Sequence, residues 1–142
     1  MKRYEFLEHV SDAYVAAYGK TLEEAFQNAA EAMFETMIET SKVALTLEEA
    51  VKVEGHDREE LLYNWLEALL LKFEIEGKVY RKFEIENIKE RNSGFALKAI
   101  IRGEPYDAEK HRPKVEVKAV TYHQMEINEQ KRGYEVKFIL DL

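Results

Sequence analysis

A chain of 142 residues is sized for one domain and can bury roughly 68–70% of its unfolded surface, enough for a core. At 46% apolar and 35% charged it is too apolar for a disordered segment, and no apolar run approaches the ~20 residues of a membrane span. The 21 Lys and Arg against 28 Asp and Glu give a net charge of −7, and the absence of cysteine excludes disulfides, zinc–thiolate sites and thiol nucleophiles.

An acidic chain with no basic run binds phosphate backbones poorly, so any action on nucleic acid is expected to pass through a partner. Met1-Lys2-Arg3-Tyr4-Glu5 is not followed by the apolar stretch of a signal peptide, which together with the missing cysteines predicts a cytoplasmic location. Abundant Lys and Glu lean toward a thermophilic source.

Residues 3–18 alternate like strands, with Tyr4, Phe6, Tyr14, Ala16 and Tyr18 as markers and His9-Val10-Ser11-Asp12 as a turn. Thr21-Leu22-Glu23-Glu24 is a capping box. Ala25, Phe26, Ala29, Ala30, Met33, Phe34 and Met37 then follow helical spacing, predicting a helix over about 21–41. Residues 47–54 read as a strand. Asp57-Arg58-Glu59-Glu60 is a second capping box, and Leu61, Leu62, Trp65, Leu66, Leu69, Leu70 and Phe73 carry a helix to about residue 74, before Gly77.

The remainder is strand-like. Phe83 and Ile85, then Phe95, Leu97, Ala99 and Ile101, alternate with other residues. Residues 114–128 form a long alternating run and 134–140 another. Turns are expected at Asn92-Ser93-Gly94, Gly103-Glu104-Pro105 and Arg132-Gly133, and one short helical turn within Tyr106–Arg112. No repeat, low-complexity segment or linker is evident. Helices that precede most of the strands, without a Gly-rich βαβ unit, predict one α+β domain over 1–142. Two amphipathic helices would pack on a mainly antiparallel or mixed sheet.

Walker, dinucleotide-binding, H-E-x-x-H and G-x-S-x-G patterns are all absent, so no self-sufficient enzyme of those classes is encoded. The four histidines are not spaced as a zinc pair on a helix. His56 reads as solvated. His123 shares the parity of Val117, Ala119, Thr121 and Met125, which predicts a core position if no bulge intervenes. Lys118 and Tyr122 share the opposite parity, which by pattern alone is an ordinary exposed strand face. Asp12 lies in a turn, and Asp141 follows the apolar Phe138-Ile139-Leu140. Carboxylates at Asp12, Asp141 and the Leu142 chain end would suit a hard cation such as Ca²⁺, Mg²⁺ or Mn²⁺, provided the fold brings them together.

Tyr4-Glu5-Phe6-Leu7-Glu8-His9-Val10-Ser11-Asp12 resembles the archease motif Y-x-x-x-D-H-T-A-D. Gly19-Lys20-Thr21-Leu22-Glu23-Glu24-Ala25-Phe26 is similar to that family's first helix. Val117-Lys118-Ala119-Val120-Thr121-Tyr122-His123-Gln124-Met125 resembles its V-K-A-[IV]-T-Y-H-x-M motif, and Phe138-Ile139-Leu140-Asp141-Leu142 its ending. The match runs the length of the chain. Glu8 stands where the family commonly has Asp, and Val10-Ser11 replace Thr-Ala.

The resemblance implies a non-catalytic accessory factor of the GTP-dependent RNA-splicing ligase that joins tRNA halves. Such a factor promotes guanylylation of the ligase and its multiple turnover. The family's metal carboxylates map onto Asp12 and Asp141, with the Leu142 terminus beside them, and its motif lysine onto Lys118. His9 and Tyr122 are carried over as neighbours. The implied cofactor is a divalent cation, Ca²⁺ first, with Mg²⁺ or Mn²⁺ as alternatives. The implied partner is the ligase protein, with RNA touched only indirectly and no membrane. The competing readings are a chaperone or specificity modulator of RNA- or DNA-modifying enzymes such as methyltransferases, a metal-dependent hydrolase using Asp12 and Asp141, and a structural module.

Overall fold

The computed structural model describes residues 2–8 and 11–142. In chain order the strands are β1 (Tyr4–Leu7), β2 (Asp12–Gly19), β3 (Leu47–Gly55), β4 (Lys78–Arg91), β5 (Gly94–Pro105), β6 (Ala119–Gln130) and β7 (Gly133–Asp141). The helices are α1 (Leu22–Met37), α2 (Arg58–Glu76) and the single turn α3 (Ala108–His111), with a 3₁₀ turn at Thr40–Lys42. The class is α+β, as expected. Its strands form two sheets, β1-β2-β7-β6 and β3-β5-β4, in which every pairing is antiparallel.

Both long helices begin as their sequences dictate. Thr21 accepts from the Glu24 N–H at 3.1 Å, while the Glu24 carboxylate accepts from the Lys20 N–H at 3.2 Å. Asp57 accepts from the Glu60 N–H at 2.7 Å, while Glu60 accepts from the N–H of exposed His56 at 2.9 Å. These reciprocal bonds satisfy backbone donors that a helix start leaves open. Gly77 ends α2 at φ 65°, in the left-handed region suited to glycine. Each helix touches both sheets, and the apolar face of α1 merges with Leu61, Leu62, Leu66 and Leu69 of α2 in one buried cluster. Trp65, fully buried, donates its indole N–H to the Phe26 carbonyl at 3.0 Å and so joins the helices.

The topology contains a repeat that the sequence does not display. β3-α2-β4-β5 assembles with strand order β3-β5-β4. β2-α1-β6-β7 assembles with the matching order β2-β7-β6, and the first unit is inserted inside the second. Gly19 and Gly55 end the equivalent strands, where a side chain would strike the following helix at Ala25 N (2.3 Å) or Leu61 N (2.5 Å). Gly133 and Gly94 begin the equivalent partners with φ 142° and 153°, pressed against the carbonyls of Gly19 and Gly55. Tyr134 and Phe95 follow these glycines, and the Arg58 guanidinium lies 5.7 and 5.8 Å from their ring centres, between the two units. The shared elements are geometric, which is why no sequence repeat is visible.

Three expectations are corrected. Helix α1 stops at Met37, four residues early, because Ile38 turns extended and buries its side chain. Gly103-Glu104-Pro105 is strand rather than turn: a side chain on Gly103 would meet the Val79 carbonyl at 1.8 Å, so this glycine serves close strand approach. The alternating run from 114 becomes strand only at Ala119.

Candidate functional site

The β2–β7 register sets Asp12 directly opposite Asp141. Alternation turns Val15 and Ala17 of β2, and Val136, Phe138 and Leu140 of β7, into the core, so both aspartates occupy the other face. Asp12 is half-buried and Asp141 exposed. On the far side of β7, Ala119 stands opposite Asp141, and the Lys118 N–H donates to the Asp141 carbonyl at 2.7 Å. The Leu142 side chain is half-buried against the core. The fold therefore brings Asp12, Asp141, Leu142 and the Lys118 backbone to one end of the four-stranded sheet. Asp12 begins a strand instead of sitting in a turn, which fixes this register. His9 lies outside the described residues.

The repeat supplies an internal comparison. Asp12 precedes Gly19 by the same spacing as Glu48 precedes Gly55, and Asp141 follows Gly133 by the same spacing as Arg102 follows Gly94. Glu48 and Arg102 are likewise direct cross-strand partners, and they form an ion pair at 3.1 Å. One sheet answers a carboxylate with a guanidinium; the other answers it with a second carboxylate. Like charges directly opposite destabilise a strand pair, and a bound cation would reverse the sign. The donors are hard oxygens, suited to Ca²⁺, Mg²⁺ or Mn²⁺. Among the described residues no group of three or more His, Asp or Glu is placed to hold a metal, so a cation here would draw further ligands from water or a partner.

Tyr122 is exposed on β6 and stacks on Tyr63 of α2, with ring centres 4.3 Å apart and planes 9° from parallel. A hydrogen bond to Glu67, with burial and that carboxylate's charge adding to it, pushes the Tyr63 phenol up to about 12. Burial, then the charges of Glu60, Asp57 and Glu67, raises Tyr122 as well. His123 is exposed, contrary to the core position predicted from parity. The register breaks between Thr121 and Glu126, with Gln124 at φ 57°. The phase is already inverted at the start of β6, where Val120, opposite Leu140, is the buried residue and Ala119 and Thr121 lie on the other face with His123; the irregularity then turns Met125 and Ile127 toward the core.

The buried histidine is His111, which sequence reasoning did not single out. Its Nδ1 accepts from the Asp107 N–H at 2.9 Å, so its Nε2 donates to Glu104 at 2.8 Å. Glu104 also accepts from Lys110 at 2.9 Å and from the Ala44 N–H at 2.7 Å. Burial acts to raise the Glu104 carboxyl, but the bonds from Lys110, Ala44 and His111 prevail and hold it at about 2. The cluster braces β5, α3 and the segment before β3. Asp107 capping a helix start, with a histidine four residues on, is the signal that marks it.

The Archease protein family model matches residues 4–142. The Protein archease of Pyrococcus abyssi is 47% identical over 94% of this chain and 93% of its own length. That of Methanosarcina mazei is 42% identical over 99% and 97%, and that of Sulfurisphaera tokodaii 42% over the whole of both chains. The solution structure of Methanobacterium thermoautotrophicum protein 1598 superposes with a TM-score of 0.88 at 42% identity, covering both chains completely. The fold and these matches thus define an archease-type α+β protein. The chain belongs to the archease family.

Proposed function

We propose that this protein is a non-catalytic activator of the GTP-dependent RNA-splicing ligase of tRNA processing, promoting the ligase's guanylylation and repeated turnover. The observation that carries the reading is the Asp12–Asp141 pair, set face to face where the equivalent strand position holds a neutral Glu48–Arg102 pair. Asp12, Asp141 and the Leu142 carboxylate would hold a divalent cation, Ca²⁺ or else Mg²⁺ or Mn²⁺. When bound, that cation supplies positive charge to the nucleotide phosphates at the ligase. Two aspartates fill only part of a shell of about 6–8 oxygens, which leaves positions for a partner. Lys118, exposed at the same sheet end, is a contact for a phosphate or a ligase carboxylate.

The test follows guanylylation and multiple-turnover joining by the matching ligase with GTP and a divalent cation, with this protein at substoichiometric amounts. Strong acceleration by the wild type, lost in a folded Asp12→Asn variant, supports the reading. Unchanged activation by that variant sinks the carboxylate site. No effect of the wild type on a competent ligase sinks the ligase assignment.

A further inference from the structure

The sequence has no basic run, yet the three-stranded sheet assembles a basic patch. Lys52 of β3 stands directly opposite Lys98 of β5, and Asn87 of β4 stands opposite Lys98 on its other side. One row along, Ala96 lies between Glu54 and Lys89, and Arg91 opposite Gly94 extends the same face. These side chains line a shallow depression of about 260 Å³ on the face turned away from the helices. Lys52, Lys89, Arg91 and Lys98 are all exposed. Lys98 has a distant pair with Glu86 at 3.8 Å, and among the described residues Lys52, Lys89 and Arg91 have no ion pair.

A bulge creates this arrangement. The β4 register shifts between Ile85 and Asn87. Without that extra residue, alternation would turn Glu86, Ile88 and Glu90 outward. With it, Asn87, Lys89 and Arg91 face out, and Ile88 packs against the core. Two lysines directly opposite one another repel, a cost that an anion lying across them removes.

We propose that this face binds the phosphodiester backbone of a single-stranded nucleic acid. A flat, cationic surface of this kind lacks the buried aromatic and apolar anchors of a protein interface. The exposed large apolar side chains, Phe6, Leu45, Leu71, Ile75, Val115 and Tyr122, belong to other faces or elements. No ring is present to stack a base, so contact is to phosphates and is indifferent to sequence. Four cations across three rows of a sheet fit three or four consecutive phosphates on one strand. Glu54 and the overall charge of −7 oppose binding, so it belongs to low or moderate salt.

The experiment is fluorescence anisotropy of a labelled 12-nucleotide oligouridylate with the isolated protein across a salt series. It contains no ligase or divalent cation, so its outcome is independent of the activator reading. Saturable binding is expected at 50 mM salt, with a log–log salt slope of about −2 to −3 for three or four neutralised phosphates. Lys52→Ala/Lys98→Ala should weaken binding at least about tenfold and reduce the slope by roughly 1.4, and Lys89→Ala/Arg91→Ala should do the same. Lys131→Ala/Arg132→Ala, the same charge change in the β6–β7 turn, should leave it within twofold. The proposal is overturned by absent saturable binding, by equal loss in the control variant, or by a polyglutamate peptide competing as well as unlabelled RNA. The last result would make an acidic protein the occupant.

Discussion

Asp141 occupies in the four-stranded sheet the position that Arg102 occupies in the three-stranded one, each directly across from the carboxylate of a neighbouring strand. The nested repeat therefore holds two solutions to one local problem. Glu48 faces a guanidinium across the strands; Asp12 faces a second carboxylate.

Asp141→Arg should transfer the first solution to the second sheet. It removes a like-charge pair and supplies a partner, each change contributing about 0.2–1 kcal/mol. The variant should melt slightly higher than the wild type in chelator and show no calcium-dependent rise in Tm. Wild-type protein should melt higher with millimolar Ca²⁺ than with chelator. An equal calcium response in both proteins would place the cation elsewhere.

Leu66 is fully buried between the helices and sheets. Leu66→Ala should cost about 2–5 kcal/mol in chemical denaturation. A loss below ~0.5 kcal/mol would contradict its place in the core.

Glu104 predicts an acid limb. Its carboxyl is held at about 2, below the unfolded value of about 4.3. A depressed carboxyl stabilises the fold in full above the unfolded value, and the contribution is lost as pH falls toward the folded one. Stability should therefore fall between about pH 4.5 and 2, and Glu104→Gln should flatten that part of the profile while lowering stability at neutral pH. Parallel wild-type and variant curves across that window would refute the assignment.

The Tyr122–Tyr63 stack ties β6 to α2. Tyr122→Phe should keep it with little change in stability. Tyr122→Ala should lose about 0.5–1.5 kcal/mol beyond the area term. Spectrophotometric titration should show a phenol ionising near 12, moved down by Glu67→Gln.

Much of this fold is legible in the chain. Two capping boxes fix the helix starts because their chemistry is local, and helical spacing identifies Phe26, Trp65 and Leu66 as core. The carboxylates were recognisable as candidates, but their meeting depends on a pairing between strands at opposite ends of the sequence. The phase in which each strand meets the core explains the rest. Val120 rather than Ala119 meets the core at the start of β6, which turns His123 outward, and one residue inserted near Glu86 brings Lys89 and Arg91 onto the face of Lys98. Neither phase has a propensity signature, because it is set by the partner strand. His111 went unnoticed because its burial arises from Glu104 and Asp107 folding around it.

The insertion of one unit inside the other also sets the order in which a growing chain can complete itself. Residues 47–105 contain the inner unit without interruption, so its contacts can form while the rest is still being synthesised. The outer unit must hold β2 and α1 unfinished until β6 and β7 arrive, since Gly19 waits for Tyr134 and Asp12 for Asp141. Such widely separated pairings are late and slow. The Asp12–Asp141 pair is thus assembled only once β7 has been made, and a product released before it, even one with a well-folded inner unit, would lack that pair.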